Sequence, residues 1–162
     1  MNGKIVAGSF VLVALIAGPA MYWLQEYAYY APVSFTPGAE VLLTPLSGPP
    51  EPMQVSGISG IDATSSPLRF RACFQTAMPL DMLTESYKVY DQAVPLNAPG
   101  WFNCFDAAAI GGDILSGKAV AFLGQANVAK DIDSVIAVYP DGRAFAWHQV
   151  NPHADVTTGA EE

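Results

Sequence analysis

The sequence has little charge, few basic residues, and only two cysteines and two histidines among its 162 residues. Charged residues make up 14% of the chain, whereas an average soluble domain has about 25%. Seven Lys and Arg stand against fifteen Asp and Glu, which gives a net charge of -8. Phosphate binding requires clustered basic side chains. The composition therefore excludes nucleic acid as a partner and is compatible with a basic partner protein or with an acidic surface that keeps the domain soluble.

The sequence also lacks the motifs of common catalytic and cofactor sites. The nearest approach to a Gly-x-Ser-x-Gly nucleophile elbow is residues 57–61, where Ile61 replaces the second glycine. No glycine-rich phosphate loop with a Lys follows a strand. His148 and His153 match no metal-binding spacing, and a hydrogen-bonded strand histidine is the simpler interpretation of His148. We therefore expect a protein that is not an enzyme and that holds no cofactor and no metal.

The longest uninterrupted apolar run lies near the N-terminus. Residues 5–24 contain no charged residue, and as a helix they would extend about 30 Å, the thickness of a hydrocarbon core. Lys4 precedes the run, and no Lys or Arg follows it until Arg69. The positive-inside rule therefore predicts a single-pass helix with a cytoplasmic N-terminus and a C-terminal domain on the far, oxidising side.

A cleaved signal peptide is the alternative interpretation of this run. Gly18, Pro19 and Ala20 supply small residues near a suitable cleavage point. The run is longer than the usual signal core of about 7–15 residues, and bulky aromatic residues follow at once. We therefore favour an uncleaved anchor.

Aromatic residues cluster where the apolar run ends, and Ala14 and Gly18 form a small-residue pair inside it. Such a pair lets another helix pack closely, although similar pairs occur by chance in many spans. Aromatic rings suit the headgroup region, so we predict a belt at the outer membrane interface; aromatic core residues of the domain are the alternative. The predicted belt consists of Tyr22, Trp23, Tyr27, Tyr29 and Tyr30.

The remainder of the chain predicts an α+β domain: the transmembrane helix is followed by a small antiparallel sheet with one or two short helices. Asp106 is suited to cap a helix over residues 107–115. Residues 81–87 favour a second helix, and residues 57–67 and 89–101 are typical of loops. Strand patterns occur at residues 41–43, 53–56, 68–75, 119–123, 135–139 and 144–150, the last two flanking the turn Pro140-Asp141-Gly142-Arg143.

These patterns predict five segments along the chain. They are a cytoplasmic stub at 1–4, a transmembrane helix with its aromatic interface at 5–30, a linker and Pro-rich segment at 31–52, a periplasmic α+β domain at 53–153 and a disordered tail at 154–162. Asp131 and Asp133 are interpreted as a solvated strand entry.

The segment 68–75 alternates as a half-buried strand does. Leu68, Phe70, Ala72 and Phe74 would share one face, and Arg69, Arg71, Cys73 and Gln75 the other. Because basic residues are scarce, Arg69 and Arg71 are candidates for binding an acidic partner, or for pairing with Asp or Glu within the domain. Trp147 and His148 on the last strand complete the predicted partner-binding set.

Cys73 and Cys104 are the only cysteines and lie 31 positions apart. In an oxidising compartment, two cysteines of a small domain usually form a disulfide. The alternatives are reactive or metal-binding thiols, which more often occur as Cys-X-X-Cys, and unpaired inert thiols. We predict a structural disulfide.

Four segments resemble a family of short, single-span bacterial inner-membrane proteins with a domain of unknown function. The segments are residues 71–74 (RACF), 100–106 (GWFNCFD), 121–125 (AFLGQ) and 141–149 (DGRAFAWHQ). The resemblance covers nearly the whole chain and implies a Gram-negative inner-membrane anchor. It implies no reaction, cofactor or catalytic residue.

Together, the anchor, the outward acidic domain and the missing catalytic motifs predict a non-enzymatic accessory or assembly protein. Its expected partners are an integral membrane complex of the inner membrane and a basic periplasmic protein. A periplasmic protein that handles metals or thiols through Cys73, Cys104 and His148 is the first alternative, and a ligand-binding sensor domain without an output domain of its own is the second.

Overall fold

The structure, a computed structural model, describes residues 2–154. It contains three α-helices and eight strands. The helices are α1 (Gly3–Trp23), α2 (Leu80–Ser86) and α3 (Ala107–Leu115). The strands are β1 (Ala31–Pro32), β2 (Leu42–Leu43), β3 (Glu51–Pro52), β4 (Ser56–Asp62), β5 (Arg71–Gln75), β6 (Val120–Ala129), β7 (Ile132–Val138) and β8 (Arg143–Val150). The α+β prediction is confirmed. Of the predicted disordered tail at 154–162, residues 155–162 lie outside the described part of the chain, as does Met1 of the predicted stub.

Helix α1 forms because nearly all of its residues are apolar and because Asn2 caps its start, accepting a hydrogen bond from the Lys4 amide at 3.3 Å. The helix continues through a π-helical turn at Leu24–Ala28. The combined segment Gly3–Ala28 is long and apolar enough to cross a membrane, and no residue in its most apolar stretch of 18 residues is buried. It is the one such helix found between residues 2 and 154.

The domain is built on a six-stranded antiparallel sheet in the order β1-β4-β5-β8-β7-β6, and β2 and β3 form a separate two-stranded sheet. The turn between β7 and β8 is as predicted: the Gly142 amide donates to the Tyr139 carbonyl at 3.0 Å. Gly142 has φ +86°, and a Cβ there would lie 2.5 Å from the Thr76 carbonyl oxygen. Only glycine suits this position without strain.

The main sheet is buried on both faces, so the domain has three layers. One face packs against the β2–β3 sheet and α2, through residues such as Leu43, Leu83 and Phe122. The other face packs against α3 and the loop before it, through residues such as Phe105 and Trp147. Each core is closed by elements that come from outside the main sheet.

Two of the predicted strand boundaries are wrong. The segment 57–67 is not a loop throughout, because Ser56–Asp62 is strand β4 and pairs with both β1 and β5. The segment 68–75 begins with a 3₁₀ turn at Pro67–Arg69 and becomes strand only at Arg71. Nor is that strand half-buried: Ala72 and Phe74 lie in one core while Cys73 packs against the other.

The predicted solvated entry at Asp131 and Asp133 is also wrong for the second residue. Asp133 lies inside β7 with 2% of its surface exposed. Its carboxylate accepts hydrogen bonds from the Asn127 amide at 3.0 Å and from the Tyr90 hydroxyl at 3.0 Å. Buried carboxylates persist where such donors are present.

Candidate functional site

The end of the apolar helix is fastened to the domain by a small set of contacts, here called the junction: Glu26, Tyr27, Tyr30, Gly100 and Trp101. The Trp101 indole N–H donates to the Glu26 backbone carbonyl at 2.6 Å, and the Gly100 amide donates to the Glu26 carboxylate at 3.2 Å. The Trp101 ring stacks on Tyr27 at 6.3 Å and meets Tyr30 edge-on at 6.2 Å. The junction therefore sets the position of the domain relative to the helix.

The predicted aromatic belt divides into two groups. Tyr22 and Trp23 are 62% and 58% exposed and contribute nothing to the domain core. Tyr30 packs against the core that contains Trp147, as the alternative interpretation had it. The sequence did not single out Trp101 for the junction, although an aromatic residue in a Pro- and Gly-rich loop was an available signal. A membrane-interface role for the belt stays a prediction.

Arg69 lies beside the junction. Its guanidinium stands 5.6 Å from the Tyr29 ring centre and 5.3 Å from the Tyr30 ring centre, so it makes cation–π contacts with both. One of its terminal nitrogens, Nη1, is buried and has no hydrogen-bond partner among residues 2–154. Arg69 thus binds aromatic rings next to the helix rather than an acidic side chain.

Arg71 holds a loop against the sheet instead of binding a partner. It is 3% exposed, and its guanidinium donates to four backbone carbonyls, of Leu68, Phe70, Leu96 and Asn97, at 2.6–3.1 Å. Burial lowers the pKa of Arg71 to about 10, opposed by the electrostatic attraction of Tyr30 and Asp62. The prediction that Arg71 binds an acidic partner or pairs with Asp or Glu is therefore wrong.

Trp147 is fully buried, so the prediction that it contacts a partner is also wrong. Its indole N–H donates to the Gln149 side-chain carbonyl at 3.0 Å. Gln149 accepts in addition from the Val94 amide and donates to the Gln92 carbonyl, at 2.8 and 2.9 Å. This buried polar network fastens the segment after Tyr90 to the sheet. Burial, with the hydrogen bond to Asp133, raises the pKa of Tyr90 well above its ordinary value.

Cys73 and Cys104 form a disulfide, as predicted, with their Cα atoms 6.3 Å apart. The bond ties β5 to the segment that leads into α3, three residues after Trp101. Asp106 begins α3 by accepting from the Ala109 amide at 3.0 Å. Because both thiols are used, no free cysteine is left to bind a metal or to exchange with another thiol.

His148 lies in a small pocket on the face of the sheet that carries the β2–β3 sheet. The pocket has a volume of about 190 Å³. The Nδ1 atom of His148 lies 2.8 Å from the Pro67 carbonyl oxygen, and the ring stacks on Phe70 at 4.6 Å. Burial lowers the pKa of His148 below its ordinary value, partly offset by the bond to Pro67. Among residues 2–154, no three His, Cys, Asp or Glu side chains meet where they could hold a metal ion.

The model of a family of unknown function, DUF6446, matches residues 41–160 of the chain. The chain belongs to DUF6446. Comparisons with curated proteins and with solved structures found no match. The predicted resemblance to a family of unknown function is thereby confirmed.

The DUF6446 match covers the domain from the residue before β2 onward, and it includes the disulfide, His148 and Trp101. Helix α1, β1 and Glu26 lie outside the matched range. The family match therefore describes the domain, whereas the case for a membrane anchor rests on the helix and the junction.

Proposed function

We propose that this DUF6446 chain is a membrane-anchored accessory or assembly protein that acts by binding rather than by catalysis. In this proposal α1 spans the bacterial inner membrane with its N-terminus in the cytoplasm. The domain lies in the periplasm, and the partner of α1 is an integral membrane complex. A basic periplasmic protein is the proposed partner of the acidic domain.

The observation that carries the proposal is the surface of α1. No residue of α1 is buried, and large apolar side chains such as Phe10, Leu15 and Ile16 are each more than 60% exposed. A core helix of a soluble domain buries one face, whereas a helix that is apolar all round requires lipid or other helices about it. Lipid and a neighbouring membrane protein supply that environment.

The junction supports the proposal because it makes the helix and the domain one unit. The helix runs unbroken past Ala20, where a signal peptidase would cut, as far as Ala28. The contacts of Glu26 and Trp101 then hold the domain against the end of the helix. A protein that presents a domain at a fixed orientation beside a membrane complex needs such a connection.

The charge and the disulfide support the periplasmic side of the proposal. Structural disulfides persist in oxidising compartments such as the bacterial periplasm. Of the Asp, Glu, Lys and Arg residues, only Lys4 and Glu26 lie within the first thirty positions, so the net charge of -8 belongs to the domain. Such a surface favours a basic protein partner over anionic lipid.

The test is purification of the full chain from membranes in a mild detergent, followed by identification of integral membrane proteins that copurify. We expect a copurifying membrane protein, and we expect Ala14→Leu together with Gly18→Leu to release it by filling the small-residue surface. Gly8→Leu is the matched control, because Gly8 is equally open but lies on another side of the helix. Recovery of the chain as a lone monomer would contradict the proposal.

A further inference from the structure

Arg69 holds a cation beside the end of α1, where no acceptor among residues 2–154 meets it. Its guanidinium contacts the Tyr29 and Tyr30 rings, but Arg69 forms no ion pair and no side-chain hydrogen bond within these residues. The other two arginines have acceptors there: Arg71 donates to four backbone carbonyls, and Arg143 forms an ion pair. Since guanidinium groups that leave water are normally hydrogen-bonded, Arg69 is matched to an acceptor that this part of the chain does not supply.

One edge of the Arg69 guanidinium remains open to such an acceptor. Nη1 is buried against the protein, and it is the one buried side-chain nitrogen or oxygen without a hydrogen bond among residues 2–154. Nε and Nη2 are therefore not buried, and Arg69 as a whole is only partly covered. The Nε–H and Nη2–H groups share one edge of the planar guanidinium and form a fork that matches two oxygens of a phosphate group.

The position of Arg69 along the membrane normal follows from the chain. The apolar run ends at Leu24, and Tyr29 comes five residues later, after the π-helical turn. Five helical residues advance about 7 Å along the axis, and the headgroup region on each side of the hydrocarbon core is about 5–7 Å thick. With α1 across a membrane, the rings of Tyr29 and Tyr30 and the guanidinium that they contact lie in the headgroup layer, where the lipid phosphates are.

A groove with a volume of about 280 Å³ adjoins Tyr29 at the same level. Pro32 and Val33 contribute apolar wall, Thr64 contributes a hydroxyl group, and Asp62 contributes a carboxylate. No Lys or Arg is among the residues that line the groove. Asp62 and the net negative charge of the domain disfavour a headgroup with net negative charge. A headgroup that balances its phosphate with a cation of its own avoids this repulsion.

From these features we propose that Arg69 binds the phosphodiester of a zwitterionic glycerophospholipid in the outer leaflet, through Nε–H and Nη2–H. Phosphate oxygens accept charge-assisted hydrogen bonds from such a fork. The acyl chains then lie along α1, whose exposed apolar side chains supply the surface for them. The proposal rests on α1 crossing a membrane, as proposed above, but it requires no protein partner.

The experiment follows the side-chain Nε–H signals of arginine in the full-length chain, labelled with ¹⁵N at arginine and held in uncharged maltoside micelles. The chain has three arginines, so Arg71 and Arg143 serve as internal references. Dihexanoyl phosphatidylcholine is the probe, and dihexanoyl glycerol, which lacks the phosphate, is its control. We expect a saturable shift at Arg69 alone, with the phospholipid binding about 10- to 100-fold more tightly than the glyceride because a charge-assisted hydrogen bond is lost. Inorganic phosphate at the same concentrations should leave Arg69 unshifted.

Three variants test the assignment, with the fraction of chains that retain one phospholipid counted by native mass spectrometry. Arg69→Gln should lower phospholipid binding to the level of the glyceride. Arg69→Lys keeps a cation against the rings but loses the fork, so we expect binding about 3- to 10-fold weaker than in the native chain. Arg143→Gln removes the same charge from an exposed ion pair and should leave binding unchanged.

Four results would each overturn the proposal. They are equal affinity of Arg69 for the phospholipid and the glyceride, saturation of Arg69 by inorganic phosphate at the concentrations that suffice for the phospholipid, undiminished lipid retention in both Arg69 variants, and a loss of lipid in Arg143→Gln as large as in Arg69→Gln. The second result would indicate a site for a soluble anion, and the fourth would indicate attraction by net charge alone. None of these outcomes depends on whether a membrane protein copurifies with the chain.

Discussion

Replacing Trp101 by alanine should open the junction between the helix and the domain. Across the junction, the substitution removes the indole hydrogen bond to Glu26 and the aromatic contacts with Tyr27 and Tyr30. One hydrogen bond contributes about 1 kcal/mol and each aromatic contact about 0.5–1.5 kcal/mol, so the loss is about 2–4 kcal/mol. A loss of that size raises the population of the open junction about 30- to 900-fold.

Hydrogen exchange of the Gly100 amide, measured on the full chain in micelles, reports this opening, because that amide donates to the Glu26 carboxylate. We expect its exchange to accelerate strongly in Trp101→Ala. The matched variant Trp101→Phe keeps an aromatic ring and loses only the indole donor, so we expect an acceleration of about 3- to 10-fold.

The amide of Ile136, in the centre of the sheet, distinguishes local opening from unfolding of the domain. We expect Ile136 exchange to change much less than Gly100 exchange in both variants. Equal Gly100 exchange in the native chain and in Trp101→Ala would refute the junction, and equal acceleration at Gly100 and Ile136 would show that Trp101 acts only through domain stability.

The remaining predictions concern the stability of the domain. Replacing Cys73 and Cys104 by serine should cost about 3–4 kcal/mol of unfolding free energy by the chain-entropy model, measured by denaturant titration with and without reductant; an unchanged midpoint would contradict it. Gly142→Ala should destabilise the domain by at least about 1–2 kcal/mol, because of its positive φ and the close Thr76 carbonyl. In Gly112→Ala, inside α3, the added Cβ has no atom within 4 Å, so the substitution should be neutral or stabilising by up to about 1 kcal/mol. A melting temperature of Gly142→Ala above that of Gly112→Ala would refute this reasoning. Burial lowers the pKa of His148 from 6.5, so just below that pH the unfolded chain binds more protons than the folded domain, and the free energy of unfolding should fall as the pH decreases through about 6.5. In urea unfolding at several pH values, His148→Gln should remove that part of the decrease. A pH profile of stability that the substitution leaves unaltered would contradict this prediction.

The features that the sequence predicted well depend on residues close together in the chain. The turn between β7 and β8 follows from Pro140 and Gly142, and the start of α3 follows from the Asp106 cap. The apolar run of α1 needs no tertiary information to be recognised. Such local signals are why the fold class could be predicted.

The features that were missed depend on pairing between distant segments. Strand β4 contains two glycines and few large apolar residues, so its own pattern is that of a loop, and it becomes a strand because β1 and β5 flank it. Strand β6 runs beyond the predicted end through Gly124, where a Cβ would lie 2.9 Å from the Ser134 hydroxyl. The pattern of residues within one segment does not indicate which distant strand will pair with it or pack closely against it.

The candidate sites were predicted only in part for the same reason. His148 and Arg69 were singled out, yet the sequence could not show that His148 shares a pocket with Ser134, because the register of β7 and β8 brings these two residues together. Arg71 was selected as a rare cation, but two of the four carbonyls that it binds, those of Leu96 and Asn97, come from a loop about 25 residues away. The scarcity of a residue type can mark it as a candidate functional residue, but it does not indicate which groups the residue contacts.

The most direct test of the account is the intact mass of the mature chain, measured by mass spectrometry on washed membranes and on the soluble periplasmic fraction of the same cells. The account predicts that the chain is recovered from the membranes with residues 5–24 retained. A chain found in the soluble fraction with a mass that begins just after Ala20 would contradict it, because α1 would then be a removed signal peptide and not an anchor.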